Sequence, residues 1–187
     1  AIIEQLKREG VFALQKELSL PLFCQHIAVI SSANAAGYGD FVDQLESNAH
    51  GFRFVTRLFP ATMQGEGVEQ SVIAALNNIY ETFLTSDETA PDCVVIIRGG
   101  GATSDLSGFD TLALAENVAQ FPIPVITGIG HERDESILDM ISHTRVKTPT
   151  AAAALLIDHL KRVWDYLQEA QGVLETNARQ RMDLEQM

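Results

Sequence analysis

Basic residues are scarce in this chain: 13 Lys and Arg stand against 25 Asp and Glu, a formal net charge of −12 over 187 residues. That balance excludes non-specific binding of nucleic acid by the chain as a whole, while leaving open a nucleic-acid substrate held locally or by a neighbouring domain. Cysteine is nearly absent. Cys24 and Cys93 stand far apart, each beside or within an expected strand. They read as buried thiols of a reducing, cytoplasmic compartment, not as a disulfide framework or a metal site. No apolar run approaches the ~18 residues of a membrane span, so no membrane partner is expected. The opening Ala-Ile-Ile-Glu-Gln-Leu-Lys is not a signal peptide. Internal repeats and low-complexity tracts are also missing. The abrupt start, and an end inside a helical pattern, read as a piece of a longer protein. Apolar content of 46% is that of a globular chain with one sizeable core.

The few cations are placed informatively. Between Arg57 and Arg145 the only basic residues are Arg98 and Arg133, and both sit in glycine-rich turns. The first turn follows Cys93-Val-Val-Ile-Ile97 and reads Arg98-Gly99-Gly100-Gly101. The second follows Val125-Ile-Thr-Gly-Ile129 and runs through Gly130 to His131-Glu132-Arg133-Asp134. Short apolar runs rich in β-branched residues are how strands buried on both faces of a parallel sheet read. In open α/β sheets the site lies beyond the carboxyl ends of the strands, so both turns face one crevice. A lone guanidinium beside glycine amides is suited to an oxyanion. The competing structural reading is a tight turn in which Arg98 pairs with a carboxylate such as Asp105.

Taken in order, residues 1–22 read as a helix and connector leading in. His26–Ser31 is the first strand, and Asp40 stands where the cap of the next helix belongs. A second strand spans 53–59. Val68, Val72, Leu76, Ile79 and Phe83 then mark an amphipathic helix. After the third strand comes a helix from about Asp110 to Phe121. The fourth strand is followed by a helix that Asp134 can cap. The expected fold is α/β, an open parallel sheet of about four strands with helices on both faces, Rossmann-like, over residues 23–149. From residue 150 to 187 a long C-terminal helix is expected. Leu156, Leu160, Val163, Leu167, Ala170 and Leu174 form a heptad seam suited to partner helices.

Four side chains converge if strand ends converge: Asp40, Arg98, His131 and Asp134. His131 can carry a proton near neutral pH, and a carboxylate can orient it. Asp40, Asp105, Asp110, His131 and Asp134 are also possible Mg²⁺ ligands, but they lack tight ligand spacing, and Arg98 can supply the positive charge. No metal and no cofactor is therefore expected. A redox cofactor does not fit, because Gly99-Gly100-Gly101 is not the dinucleotide-binding Gly-x-Gly-x-x-Gly.

These motifs together resemble the exodeoxyribonuclease VII large subunit family. The residues that carry the likeness are Arg98-Gly-Gly-Gly-Ala-Thr-Ser-Asp105-Leu-Ser-Gly-Phe109, Pro122-Ile-Pro-Val-Ile126, Gly130-His-Glu-Arg-Asp134 and Arg145-Val-Lys-Thr-Pro-Thr-Ala-Ala-Ala153. Gln64-Gly-Glu-Gly67 and the loop from Ala36 to Asp40 match as well, so the likeness covers roughly residues 20–158. It departs from the family at Gly39 and Arg133, where the family usually has Arg and Thr, at Asp110, where Asn is common, and before Asp105.

The resemblance implies metal-independent hydrolysis of phosphodiester bonds in single-stranded DNA. Asp40, Arg98, His131 and Asp134 match its catalytic positions, and Arg98, Gly99, Gly100, Gly101 and Arg133 are the expected phosphate binders. It also implies an OB-fold, absent from this stretch, that holds the single strand, and small subunits gathered by the C-terminal helices. Two readings from other classes compete: a non-catalytic α/β module binding a nucleotide or sugar phosphate at the same loops, and a scaffold whose function is the C-terminal helix.

Overall fold

The apolar runs pair into a sheet because each alternates its side chains between two buried faces. In the strand His26–Ser31 (β1), Ile27 and Val29 enter one core cluster while Ala28 and Ile30 enter the other. Cys93–Ile97 (β3) divides in the same way, with Val95 and Ile97 on the first face and Val94 and Ile96 on the second. Removing each large aliphatic side chain from water stabilises the fold by about 1.5–3 kcal/mol. In this computed structural model every residue is described except Asp87, residues 100–104, residues 131–134 and Met187.

The chain begins with helices Ile2–Arg8 (α1) and Leu14–Glu17 (α2). From β1 it passes through Ala36–Glu46 (α3), Val55–Pro60 (β2) and Val68–Leu84 (α4) to β3. A 3-10 turn, Ser107–Phe109, precedes Leu112–Ala119 (α5), Val125–Gly128 (β4) and Ile137–Ile141 (α6). Thr144–Arg145 (β5) and Pro149–Glu185 (α7) complete it. The sheet is parallel throughout, in the order β2-β1-β3-β4-β5. Helices α3 and α7 cover one face; α4, α5 and α6 cover the other. The fold is thus the expected open α/β sheet with a long C-terminal helix, enlarged by a fifth strand. β5 is only two residues long, Thr144 beside Ile126 and Arg145 beside Thr127. So short a segment leaves no alternation to read in the sequence.

The lead-in is wired to the sheet more closely than a connector. Leu6 lies in the core under α5. The Gln15 side chain is buried: its Nε2 donates to the carbonyls of Phe121 (2.9 Å) and Ile123 (3.2 Å), and its Oε1 accepts from the amide of Val125 (2.8 Å). A lone glutamine in a polar segment gave no sign of this. Lys16 donates to the carbonyl of Ser142, and His143 Nε2 meets the carbonyl of Leu18 at 2.9 Å. Cys24 and Cys93, distant in sequence, are free, buried, and 3.6 Å apart between their sulfurs.

Helix α3 differs from expectation at its start. It begins at Ala36, not after Asp40, and its N-cap residue is Ala35, whose side chain accepts nothing. Asp40 is therefore an exposed residue inside the helix. The reason lies at Gly37. A Cβ there would stand 2.6 Å from Gly99 Cα and 2.8 Å from Pro149 Cγ, and one on Gly99 would stand 2.6 Å from Gly37 N. Only two bare backbones fit, so the helical turn carrying Gly37 is pressed against the exit of β3.

Substituting the two glycines of α3 separates packing from helix propensity. Gly37→Ala is expected to destabilise the fold by about 1–3 kcal/mol, the range for overpacking. Gly39→Ala, with nothing within 4 Å of its Cβ position, should stabilise by about 0.5–1 kcal/mol. Urea unfolding of the two variants checks the opposed signs.

Candidate functional site

The strand order reverses between β1 and β3: the connection from β1 leads outward to β2, and the chain returns to β3 on the other side. Doubly wound sheets of this order open a crevice at that switch point. Here the crevice is a cleft of about 720 Å³, walled by the exits of β1, β2 and β3 from Ser31 to Ala36, Pro60 to Gln64, and Arg98 with Gly99. Its walls are tied together. The amide of Ala61 donates to the carbonyl of Ser31 at 2.9 Å, and the amide of Thr62 to Ser71 Oγ at 2.7 Å.

Arg98 is the cation of this cleft. Its amide donates to the carbonyl of Gly128 at 3.2 Å, fixing the backbone to β4. The residue is only 9% exposed, and its buried Nε has no acceptor among the described residues. Ser31 Oγ, fully buried in the same lining, has no partner among them either. The hydroxyl of Ser31 escaped the sequence reading because the last residue of a strand carries no distinguishing pattern. An unmet buried donor costs about 1–3 kcal/mol, a cost that an oxygen reaching either group would offset.

Asp105, the carboxylate suggested as a structural partner for Arg98, is engaged elsewhere. No ion pair joins the two. The Asp105 carboxylate turns to Ser107, whose amide donates to it at 2.9 Å. Hydrogen bonds from the Ser107 side chain and then its amide hold the Asp105 carboxyl below its ordinary range, with the Arg98 charge adding at longer range.

The other site residues divide as follows. Asp40 follows Gly37 by three residues, which places it on the same side of α3. It does not line the Arg98 cleft. His131, Arg133, Asp134, Gly100 and Gly101 lie outside the described residues. What flanks residues 131–134 is described. Ser136, not Asp134, caps α6 through a capping box with Asp139. A serine two residues on won because its hydroxyl donates to the buried Asp139 carboxylate at 2.8 Å, as does Thr127 Oγ1 from β4. Asp110 Oδ1 accepts from the amide of Ile137 at 2.7 Å, and Glu135 pairs with Arg145 at 3.3 Å. Asp105 and Asp110 are thus committed to backbone amides. Among the described residues no three His, Cys, Asp or Glu side chains gather as a metal-ligand set.

Fold and crevice together define a class: a doubly wound α/β domain with an arginine-bearing cleft at its topological switch point. Comparison with known proteins narrows it. The chain belongs to the family described as exonuclease VII, large subunit, which matches residues 11–187. It is 36% identical over 156 residues to the exodeoxyribonuclease 7 large subunit of Nostoc sp., covering 83% of this chain and 36% of that protein. The protein of the same name from Deinococcus radiodurans is 34% identical over 178 residues, 95% of this chain and 42% of its own length. That of Nitrosomonas europaea is 34% identical over 182 residues, again 95% of this chain and 39% of the relative. The chain therefore spans about two fifths of the curated relatives it matches.

The Asp105 geometry gives a pH test. Its folded pKa is depressed, so its contribution to stability is present above the unfolded carboxylate value of about 3.9 and is lost as pH falls through the lower folded value. Carbon-detected NMR titration should show Ser107→Ala raising the Asp105 pKa more than Arg98→Gln does. The reverse order would mean a direct Arg98–Asp105 pair.

Proposed function

We propose that this domain hydrolyses phosphodiester bonds of single-stranded DNA without a divalent metal, using Asp40, Arg98, His131 and Asp134. The observation that carries the reading is Arg98: a guanidinium nine-tenths buried at the switch point, its Nε unmet, beside the glycines that follow β3. Family membership supports the reaction class, since the matched relatives are named as exodeoxyribonucleases.

Such hydrolysis needs a nucleophilic water, stabilisation of charge on the phosphoryl oxygens, and a proton for the leaving oxygen. Arg98, with the amides of Gly99, Gly100 and Gly101 and the charge of Arg133, is suited to the second task, because preorganised donors act where charge develops. His131 is suited to the proton transfers, with one of Asp134 and Asp40 holding its tautomer and the other placing the water. The substrate is held chiefly by a further domain, since this chain carries −12 and the described residues of its cleft lining include no aromatic on which bases could stack. Small subunits of the assembly gather on α7, whose Trp164, Leu167 and Leu174 stand 48%, 43% and 69% exposed beyond the buried Leu156 and Leu160. The two free, buried thiols suit a cytoplasmic setting. Among the described residues no helix is long and apolar enough to cross a membrane.

In the complete large subunit with its small subunit, His131→Ala should cost about 10²-fold or more in turnover on labelled single strands in excess chelator. Arg98→Lys should also be damaging, because an ammonium cannot reproduce the guanidinium fork. Near-normal turnover of His131→Ala, or loss of wild-type activity on chelation, would replace this mechanism with a metal site on the aspartates. The 187-residue chain alone should bind single-stranded DNA weakly at physiological salt, a result that a filter-binding titration checks.

A further inference from the structure

We infer that the cleft over the end of β1 is a subsite for one nucleotide unit, with its phosphate on Arg98 and Ser31 and its nucleoside between the exits of β1 and β2. The inference deepens the reading above and rests on it for the role of Arg98.

The volume of about 720 Å³ lies in the range of pockets that enclose a small organic ligand, and exceeds what a bare phosphate needs. The polarity of the lining is graded. Ser31 and Arg98 line the cleft, and just beneath its surface lie two buried donors without a partner among the described residues, Arg98 Nε and Ser31 Oγ. At the rim stand the exposed Asn34 and Gln64, whose side-chain amides hydrogen-bond to nothing within the described chain. Carboxamides can pair with the edge of a base, which offers donors and acceptors side by side. The uncapped first turn of α3 borders the floor at Ala35 and Ala36 and adds partial positive charge there.

The same lining limits the ligand. Among the described residues Arg98 is the only charged one in it, a partner for a single phosphate. With no aromatic side chain among the described residues of the wall, base identity is read weakly. The ligand class is therefore a nucleoside monophosphate, free or as one unit of a strand.

The test is an amide-resolved NMR titration of the chain with deoxyadenosine 5′-monophosphate, with inorganic phosphate and deoxyadenosine as separate arms. The mononucleotide should move the amides of Ser31, Thr62, Gln64, Ser71 and Gly99, with a Kd on the order of 1 mM and about tenfold tighter than either fragment. Ser31→Ala should weaken it about tenfold while raising Tm by roughly 2–4 °C, because the variant removes a buried hydroxyl that nothing satisfies in the free protein. A merely structural serine would lower Tm instead. Asn34→Trp, at an exposed position, should block the nucleoside and leave the phosphate response. Equal binding of mononucleotide and phosphate, shifts elsewhere, or unchanged binding by both variants would overturn the inference. Mononucleotide binding with no strand cleavage in the complete enzyme would uphold this subsite and remove the proposed hydrolysis. Cleavage intact with no mononucleotide response would remove the subsite and leave the hydrolysis.

Discussion

Everything at the crevice depends on one contact between two backbones. Gly37 at the start of α3 and Gly99 after β3 approach so closely that neither position accommodates a Cβ. The two exits flanking the switch point are thereby locked in mutual register, and Pro149, the first residue of α7, closes on the same spot. This contact positions the Arg98 side chain against the cleft, since its neighbour Gly99 cannot move without displacing a helix. It also explains why α3 starts a turn early and without a capping side chain. The helix is placed by packing at Gly37, and propensity follows.

The buried polar groups fall into two populations with different purposes. Gln15 satisfies two carbonyls and an amide at the entry to β4, and Asp139 gathers Thr127 Oγ1, Ser136 Oγ and the Ser136 amide. Fully met networks of this kind rigidify what they join. Asp139 and its donors hold the end of β4 and the start of α6 at fixed positions, and the segment carrying His131 and Asp134 runs between them in sequence. Ser31 and Arg98, by contrast, keep donors unmet among the described residues, as Thr111 Oγ1 does away from the cleft. A fold that satisfies a glutamine three times over leaves Ser31 and Arg98 unmet beside one cleft.

Much of this was legible in the sequence, for physical reasons that differ by element. β1 and β3 were read to the residue, because doubly buried strands are continuous apolar runs bounded by polar residues or glycine. Arg98 was legible because it is one of two cations in a long acidic interval. The start of α3 was misread because Asp40 has the chemistry of a cap, while the residue that decides is a glycine whose partner lies 62 positions away at Gly99. The α6 cap went to Asp134 in place of Ser136 for a related reason: the buried Asp139 that selects the serine is recognised only once Thr127 is beside it. Gln15, Ser31 and the meeting of Cys24 with Cys93 are non-local facts, with no periodicity or spacing to announce them. Of the β2-side wall from Pro60 to Gln64, the family motifs reach only Gln64.

The course of α7 gives the molecule two poles. Its first residue touches Gly37 at the crevice end of the sheet. It then runs back against the strands: His159 meets the carbonyl of Pro21 at 2.8 Å, and Trp164 stacks edgewise on Phe52, both partners lying before strand starts. At 1.5 Å per residue its 37 residues span about 55 Å, and the exposed half points away from the crevice. A contact made on that half therefore lies behind the sheet, while the mouth of the crevice opens at the opposite end of the strands.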